Sequence, residues 1–82
     1  MTIRPTVRIV PIHNGAAARC SELSLAGHGR NEERALDSLR RSVLAWCHGL
    51  AGDASLEQAL TQRGVAWRDG GPELLVKFEA IA

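Results

Sequence analysis

The sequence predicts one α+β domain over residues 1–82: an antiparallel sheet with helices packed on one face. The predicted order is β-β-β-α, then a short helix and a terminal β-hairpin. Apolar residues alternate with period two before and after a central segment whose apolar residues recur every three or four positions, which indicates strands flanking a helix. An Asn-Gly pair at positions 14 and 15 adds a strong hairpin signal. A chain of 82 residues is long enough for one hydrophobic core only.

The first three predicted strands form a meander. Residues 6–12 are rich in β-branched side chains, and the Asn14-Gly15 turn returns the chain into a second strand over residues 16–22. A short third strand over residues 23–29 bends at its glycines. These three strands should pair in sequence order.

Two helices and a hairpin complete the prediction. The first helix spans residues 32–50, with Asn31 as its N-cap and Leu36, Leu39 and Val43 on its apolar face. The second begins at Ser55, after which residues 65–68 and 73–81 form the arms of the terminal hairpin. Phe78 on the second arm is expected in the core.

Composition excludes several classes of function. Ten basic against nine acidic residues give a net charge of +1, whereas a dedicated nucleic-acid binder usually carries a basic excess. No apolar run approaches the roughly 18 residues of a membrane span, and no signal peptide is evident. Cys20 and Cys47 lie far apart without a CxxC pair, which favours reduced, buried thiols and a cytoplasmic location.

The sequence predicts that this protein is not an enzyme. His13, His28 and His48 are scattered over a turn, a strand end and a helix, without the spacing of a metal site or a catalytic set. The glycines beside His28 lack the third glycine of a dinucleotide-binding loop. We therefore expect no catalytic residue, no metal and no cofactor.

The binding residues are predicted from side-chain type and position. Arginine and tryptophan are enriched where proteins bind each other, and basic residues form a stripe on the first helix. The candidate partner-binding residues are His28, Arg34, Arg41, Trp67, Arg68 and Leu75. Leu75, Lys77 and Ile81, on a terminal arm that is apolar on both faces, are the candidate contacts of a homodimer.

Residues 20–39, CSELSLAGHGRNEERALDSL, resemble the N-terminal domain of HicB-family antitoxins. That family typically reads C-P-E-L, then a glycine segment, then G-x-T-x-E-E-A-x-x-x-L. Ser21 stands in place of the proline, Asn31 in place of the threonine, and Arg34 displaces one acidic residue. The matching positions are Cys20, Glu22, Leu23, Gly29, Asn31, Glu33, Ala35, Leu36 and Leu39.

The resemblance implies a β-β-β-α core of the partial RNase H type without nuclease residues. HicB-like domains bind and block a small mRNA-cleaving toxin through protein–protein contact, and full-length antitoxins usually add a C-terminal DNA-binding segment. Residues 1–82 are expected to hold the HicB-like domain without that segment.

Two other functions remain open. One is a stand-alone inhibitor or adaptor, such as a phage-type protein that blocks a host nuclease complex. The other is weak RNA or DNA binding through Arg34, Arg40 and Arg41, which near-neutral charge makes the less favoured hypothesis.

Overall fold

A computed structural model of the protein describes residues 1–50 and 55–81. It has the predicted α+β architecture, with two helices packed on one side of the β-structure. The elements are β1 (Thr2–Arg4), β2 (Thr6–Ile12), β3 (Gly15–Cys20), β4 (Leu25–Gly29), α1 (Glu32–Gly49), α2 (Leu56–Gln62), β5 (Ala66–Arg68), β6 (Leu75–Val76) and β7 (Glu79–Ala80).

The strands form two joined sheets, with orders β5-β1-β6 and β4-β3-β2-β7. They are joined because β1 continues into β2 across Pro5, and β6 likewise continues into β7. The second pair of strands runs parallel to the first: β6 pairs with β1, and β7 pairs with β2. Pro5 has no N–H to donate, which explains why the parallel ladder is interrupted at this level. On the other side of the strand, the amide of Thr6 donates to the Glu22 carboxylate at 2.8 Å. The strand over residues 75–81 is thus one edge of the sheet.

The predicted terminal hairpin is wrong. Its two arms do not pair with each other, because β5 and β6 lie on opposite sides of β1. The three-residue β1, with fully buried Ile3, occupies the place between them. The N-terminal amine donates to the carbonyl oxygens of Gly70 and Glu73 and so ties β1 to the connection between the arms. The sheet is therefore mixed rather than antiparallel throughout.

The predicted meander is confirmed, with a shift of the turn by one residue. His13 and Asn14 form the two-residue turn, Asn14 has φ of 62°, and Gly15 already pairs with Ile12 in the ladder. Gly15 is needed for space, since a Cβ there would lie 2.2 Å from the carbonyl oxygen of Gly29.

Helix α1 begins and packs as predicted. The Asn31 side chain accepts a hydrogen bond from the Arg34 amide at 2.9 Å, which is the expected N-cap. Its buried residues are Ala35, Leu39, Val43 and Cys47. Of the predicted core residues, Leu39 and Val43 are fully buried, whereas Leu36 and Phe78 are half-buried at the rim of the core.

Helix α2 covers the other end of the sheet. Its N-cap Ser55 accepts from the Gln58 amide at 3.3 Å, and Leu60 on its inner face is fully buried. No helix in residues 1–50 or 55–81 has the length and apolar character that a membrane crossing requires.

Candidate protein-binding surfaces

One face of the sheet carries no helix among the described residues. Gly27 lies against α1. Ala18 and Ile9 are level with Gly27 on the two neighbouring strands, so these three residues face the helices. Successive residues of a strand point to opposite faces, so the neighbouring rows lie on the other side. We call this side the open face.

Basic side chains dominate the open face. Arg8 lies directly opposite Arg19. Arg68 pairs with Thr2, which points to the same side of β1 as Arg4, so Arg68 and Arg4 share this face. Lys77 is level with Arg4, because the preceding residues of the two strands pair. Within the described residues, Arg4 has an ion-pair partner on this face, Glu79 at 3.7 Å, whereas Arg8 and Arg19 have none.

The open face also carries the exposed large hydrophobic residues. Ile12, Leu75 and Ile81 are 40, 46 and 44% exposed, and each belongs by register to this face. Leu75 and Ile12 lie near its two ends, and Ile81 is level with Arg8 on the edge strand. A face with both basic and aliphatic side chains suits a protein partner with acidic and apolar surface.

A second surface is a concave site at the free edge of β4, with a volume of about 480 Å³. Its lining residues are His28, Gly29, Arg30, Arg34, Asp37 and Arg41. Three arginines and a single carboxylate, that of Asp37, line this basic pocket, so its net positive charge suits an anionic ligand. His28 pairs with Ala17 on the open face and therefore connects the two surfaces.

The structure gathers most of the predicted site residues. His28, Arg34 and Arg41 line the basic pocket together. Arg68 and Leu75 lie in one row across Thr2 on the open face, where the predicted dimer contacts Lys77 and Ile81 also lie.

Trp67 lies on the opposite side. It pairs with buried Ile3, packs against the core, and donates from Nε1 to the Thr61 hydroxyl at 3.1 Å. It is not beside the terminal arm, because β1 separates β5 from β6. Its indole thus has a structural partner within the chain.

Sequence reasoning did not select Arg4, Arg19, Ile12 or Arg30. The Asn14-Gly15 pair signals a hairpin, but a turn at those two residues would set Arg8 opposite Ser21. The observed turn at positions 13 and 14 sets Arg8 opposite Arg19. The role of Arg4 depends on β1, which was not predicted.

Burial and hydrogen bonding shift the ionisation of two buried thiols and one partly buried carboxylate. Burial raises the pKa of the Cys20 thiol to about 11 and also raises that of Cys47, so both free thiols stay protonated at neutral pH. Burial works against ionisation of Glu22 too, but hydrogen bonds from Thr6 outweigh it and hold the pKa below its ordinary value. The described residues contain no group of three potential metal ligands.

Neither the models of known protein families, nor the curated proteins, nor the solved structures include a match to this chain. Its function is therefore inferred from its own residues.

Proposed function

We propose that this protein is a non-catalytic binding module whose open face binds a partner protein. In the manner of the HicB antitoxins that residues 20–39 resemble, binding neutralises the partner, such as a small mRNA-cleaving toxin in the cytoplasm. The single observation that carries the proposal is the placement of Arg8 directly opposite Arg19 on the open face.

Two like charges directly opposite on neighbouring strands destabilise a sheet. Within the described residues, no carboxylate forms an ion pair with either arginine. Local conflicts of this kind concentrate at functional sites, where they are retained for binding. An acidic side chain of a partner, placed between the two guanidinium groups, would relieve the repulsion.

Protein suits this surface better than nucleic acid. Single-stranded RNA is held by aromatic stacking together with basic side chains. Trp67 and Phe78 lie on the helix side of the sheet and Trp46 lies on α1, so the open face presents neither tryptophan nor phenylalanine for base stacking. Its exposed aliphatic residues fit a protein interface instead.

The rest of the fold supports a binding role of this kind. The order β2-β3-β4-α1 agrees with the β-β-β-α core that the resemblance implies. The raised pKa of both thiols leaves neither as a nucleophile at neutral pH. RNA stays the second candidate because the basic pocket has the guanidinium groups that bind phosphate.

Site-specific crosslinking in the native cell tests the proposal. A photo-reactive amino acid is incorporated at position 26, where exposed Ala26 faces Arg19 on the open face, or at position 45, where Ala45 is exposed on α1. Both positions leave the arginine pair intact. We expect one discrete adduct with a protein from position 26 and none from position 45. The adduct should resist ribonuclease.

Three outcomes would contradict the proposal. Equal adducts at both positions would mean that contact is non-specific, and no adduct at position 26 would mean that the open face has no partner. An adduct removed by ribonuclease would assign the surface to RNA instead.

A further inference from the structure

The strand over residues 75–81 has one bonded and one free side. The amides of Leu75, Lys77, Glu79 and Ile81 donate to the carbonyl oxygens of Met1, Ile3, Pro5 and Val7, at 2.9 to 3.0 Å. Successive peptide groups of a strand point to opposite sides, so those of the intervening residues point away from β1 and β2. No strand of the described chain pairs with that side. Val76, Phe78 and Ala80 therefore present free N–H and C=O groups at the edge.

We infer that this edge pairs with the same edge of a second copy of the chain, antiparallel and with the two-fold axis at Phe78. In this register Phe78 faces the partner's Phe78, and Val76 faces the partner's Ala80. The free N–H and C=O groups of each copy then face the free groups of the other copy, which is the condition for an antiparallel hydrogen-bonded ladder. The two sheets become one.

The same register matches the side chains on the open face. It sets Lys77 opposite the partner's Glu79, and by symmetry Glu79 opposite the partner's Lys77. It also sets Leu75 opposite the partner's Ile81, so two exposed large hydrophobic residues cover each other in both halves of the interface. Opposite charges and apolar pairs directly across a sheet are both stabilising.

Neighbouring registers are unfavourable. A shift by two residues places either Lys77 opposite the partner's Lys77 or Glu79 opposite the partner's Glu79, which are repulsive arrangements. A shift by one residue sets outward-pointing peptide groups against inward-pointing ones and breaks the ladder. The sequence of the edge thus specifies one self-complementary alignment.

The edge lacks most of the devices that prevent pairing. Natural edge strands are protected by proline, bulges or charged residues, and residues 75–81 contain neither a proline nor a run of like charge. Lys77 is neutralised in this register. Glu79 already contacts Arg4 within the chain at 3.7 Å, and a carboxylate can accept from both cations.

Charge exchange at the edge tests the register. The full chain and the variants Lys77→Glu, Glu79→Lys and the double exchange are compared by sedimentation equilibrium over a concentration series without any partner protein. We expect a concentration-dependent wild-type dimer, a dimer dissociation constant raised by about tenfold or more in each single variant, and recovery in the double variant. Thermal melts by circular dichroism check that each variant is folded.

Cysteine crosslinking provides a second measurement. Facing residues outside the hydrogen-bonded pairs have Cα atoms about 4.5 Å apart, within disulfide range. The combined Leu75→Cys and Ile81→Cys variant should form a covalent dimer on mild oxidation. Each single variant should not, because neither position faces itself. Cys20 and Cys47 are buried and do not compete.

A wild-type chain that stays monomeric at every accessible concentration would overturn the inference. Single charge variants that dimerise as well as wild type, or single cysteine variants that crosslink as well as the combined variant, would overturn the register. The dimer does not depend on the proposed function, so failure of one leaves the other standing.

Discussion

Replacing Gly27 with alanine is expected to destabilise the domain by about 1–3 kcal/mol or more, as overpacking of a tight contact does. A Cβ at position 27 would lie 2.3 Å from the amide nitrogen of Leu39 and 2.6 Å from the carbonyl oxygen of Ala35. Both atoms belong to the backbone of α1, so no side-chain rotation can relieve the clash. Helix and sheet would have to move apart along their main contact.

The matched control is Gly49→Ala at the end of α1. A Cβ there meets no atom within 4 Å, and alanine favours the helix over glycine by up to about 1 kcal/mol. Urea unfolding should therefore show a lower midpoint for Gly27→Ala and an unchanged or higher one for Gly49→Ala. If both variants unfold like wild type, α1 does not pack on β4 as described.

Replacing Leu39 with alanine is expected to lower the free energy of unfolding by about 2–5 kcal/mol, the range for a fully buried leucine. Leu39 is completely buried in the core between α1 and the sheet. A domain of this size has only a few kcal/mol of net stability, so the variant should be largely unfolded at room temperature.

Leu44→Ala is the control for this loss. Leu44 lies on the same helix, half-buried and outside the core cluster, so its truncation should cost under about 1 kcal/mol. The measurement is urea unfolding followed by far-ultraviolet circular dichroism. Equal midpoints for the two variants would mean that the buried face of α1 is assigned wrongly.

Local signals predicted the first half of the fold well. The cap at Asn31 and the three- and four-residue spacing of apolar residues act within one helix, and α1 ends within one residue of its prediction. The meander likewise depends on a short turn between neighbouring strands. Such interactions can be read from a window of sequence.

Pairing in the second half could not be predicted in this way. Alternation in residues 65–68 and 73–81 indicates strands but does not specify their neighbours. A hairpin was expected, yet β1 lies between the two arms, and it is only three residues long. Its position depends on contacts across almost the whole chain, including the bond from the N-terminal amine to Gly70.

Binding residues that are close together in the sequence were predicted better than those that strand pairing brings together. Arg34 and Arg41 lie two turns apart on one helix, so their shared pocket follows from helical spacing. Trp67 was misplaced because the face that it occupies depends on pairing with Ile3. The opposition of Arg8 and Arg19 requires the hairpin register, which the position of the turn determines.

The edge inference and the open face are compatible. A two-fold axis normal to the sheet keeps both open faces on the same side, so a dimer would present two copies of the arginine pair on one continuous surface. Arg19 lies on β3, separated from the edge strand by β2, and is left uncovered by the pairing.

The most direct test of the central claim is the affinity of the open face for its partner. The protein crosslinked at position 26 is purified and titrated calorimetrically into wild type, Arg19→Glu and Arg63→Glu. Arg63 is an exposed arginine that follows α2 and lies outside both surfaces, so its reversal is the matched control. We expect Arg19→Glu to weaken binding by about tenfold or more, and Arg63→Glu to change it by no more than about twofold. Equal affinities for wild type and Arg19→Glu would contradict the account.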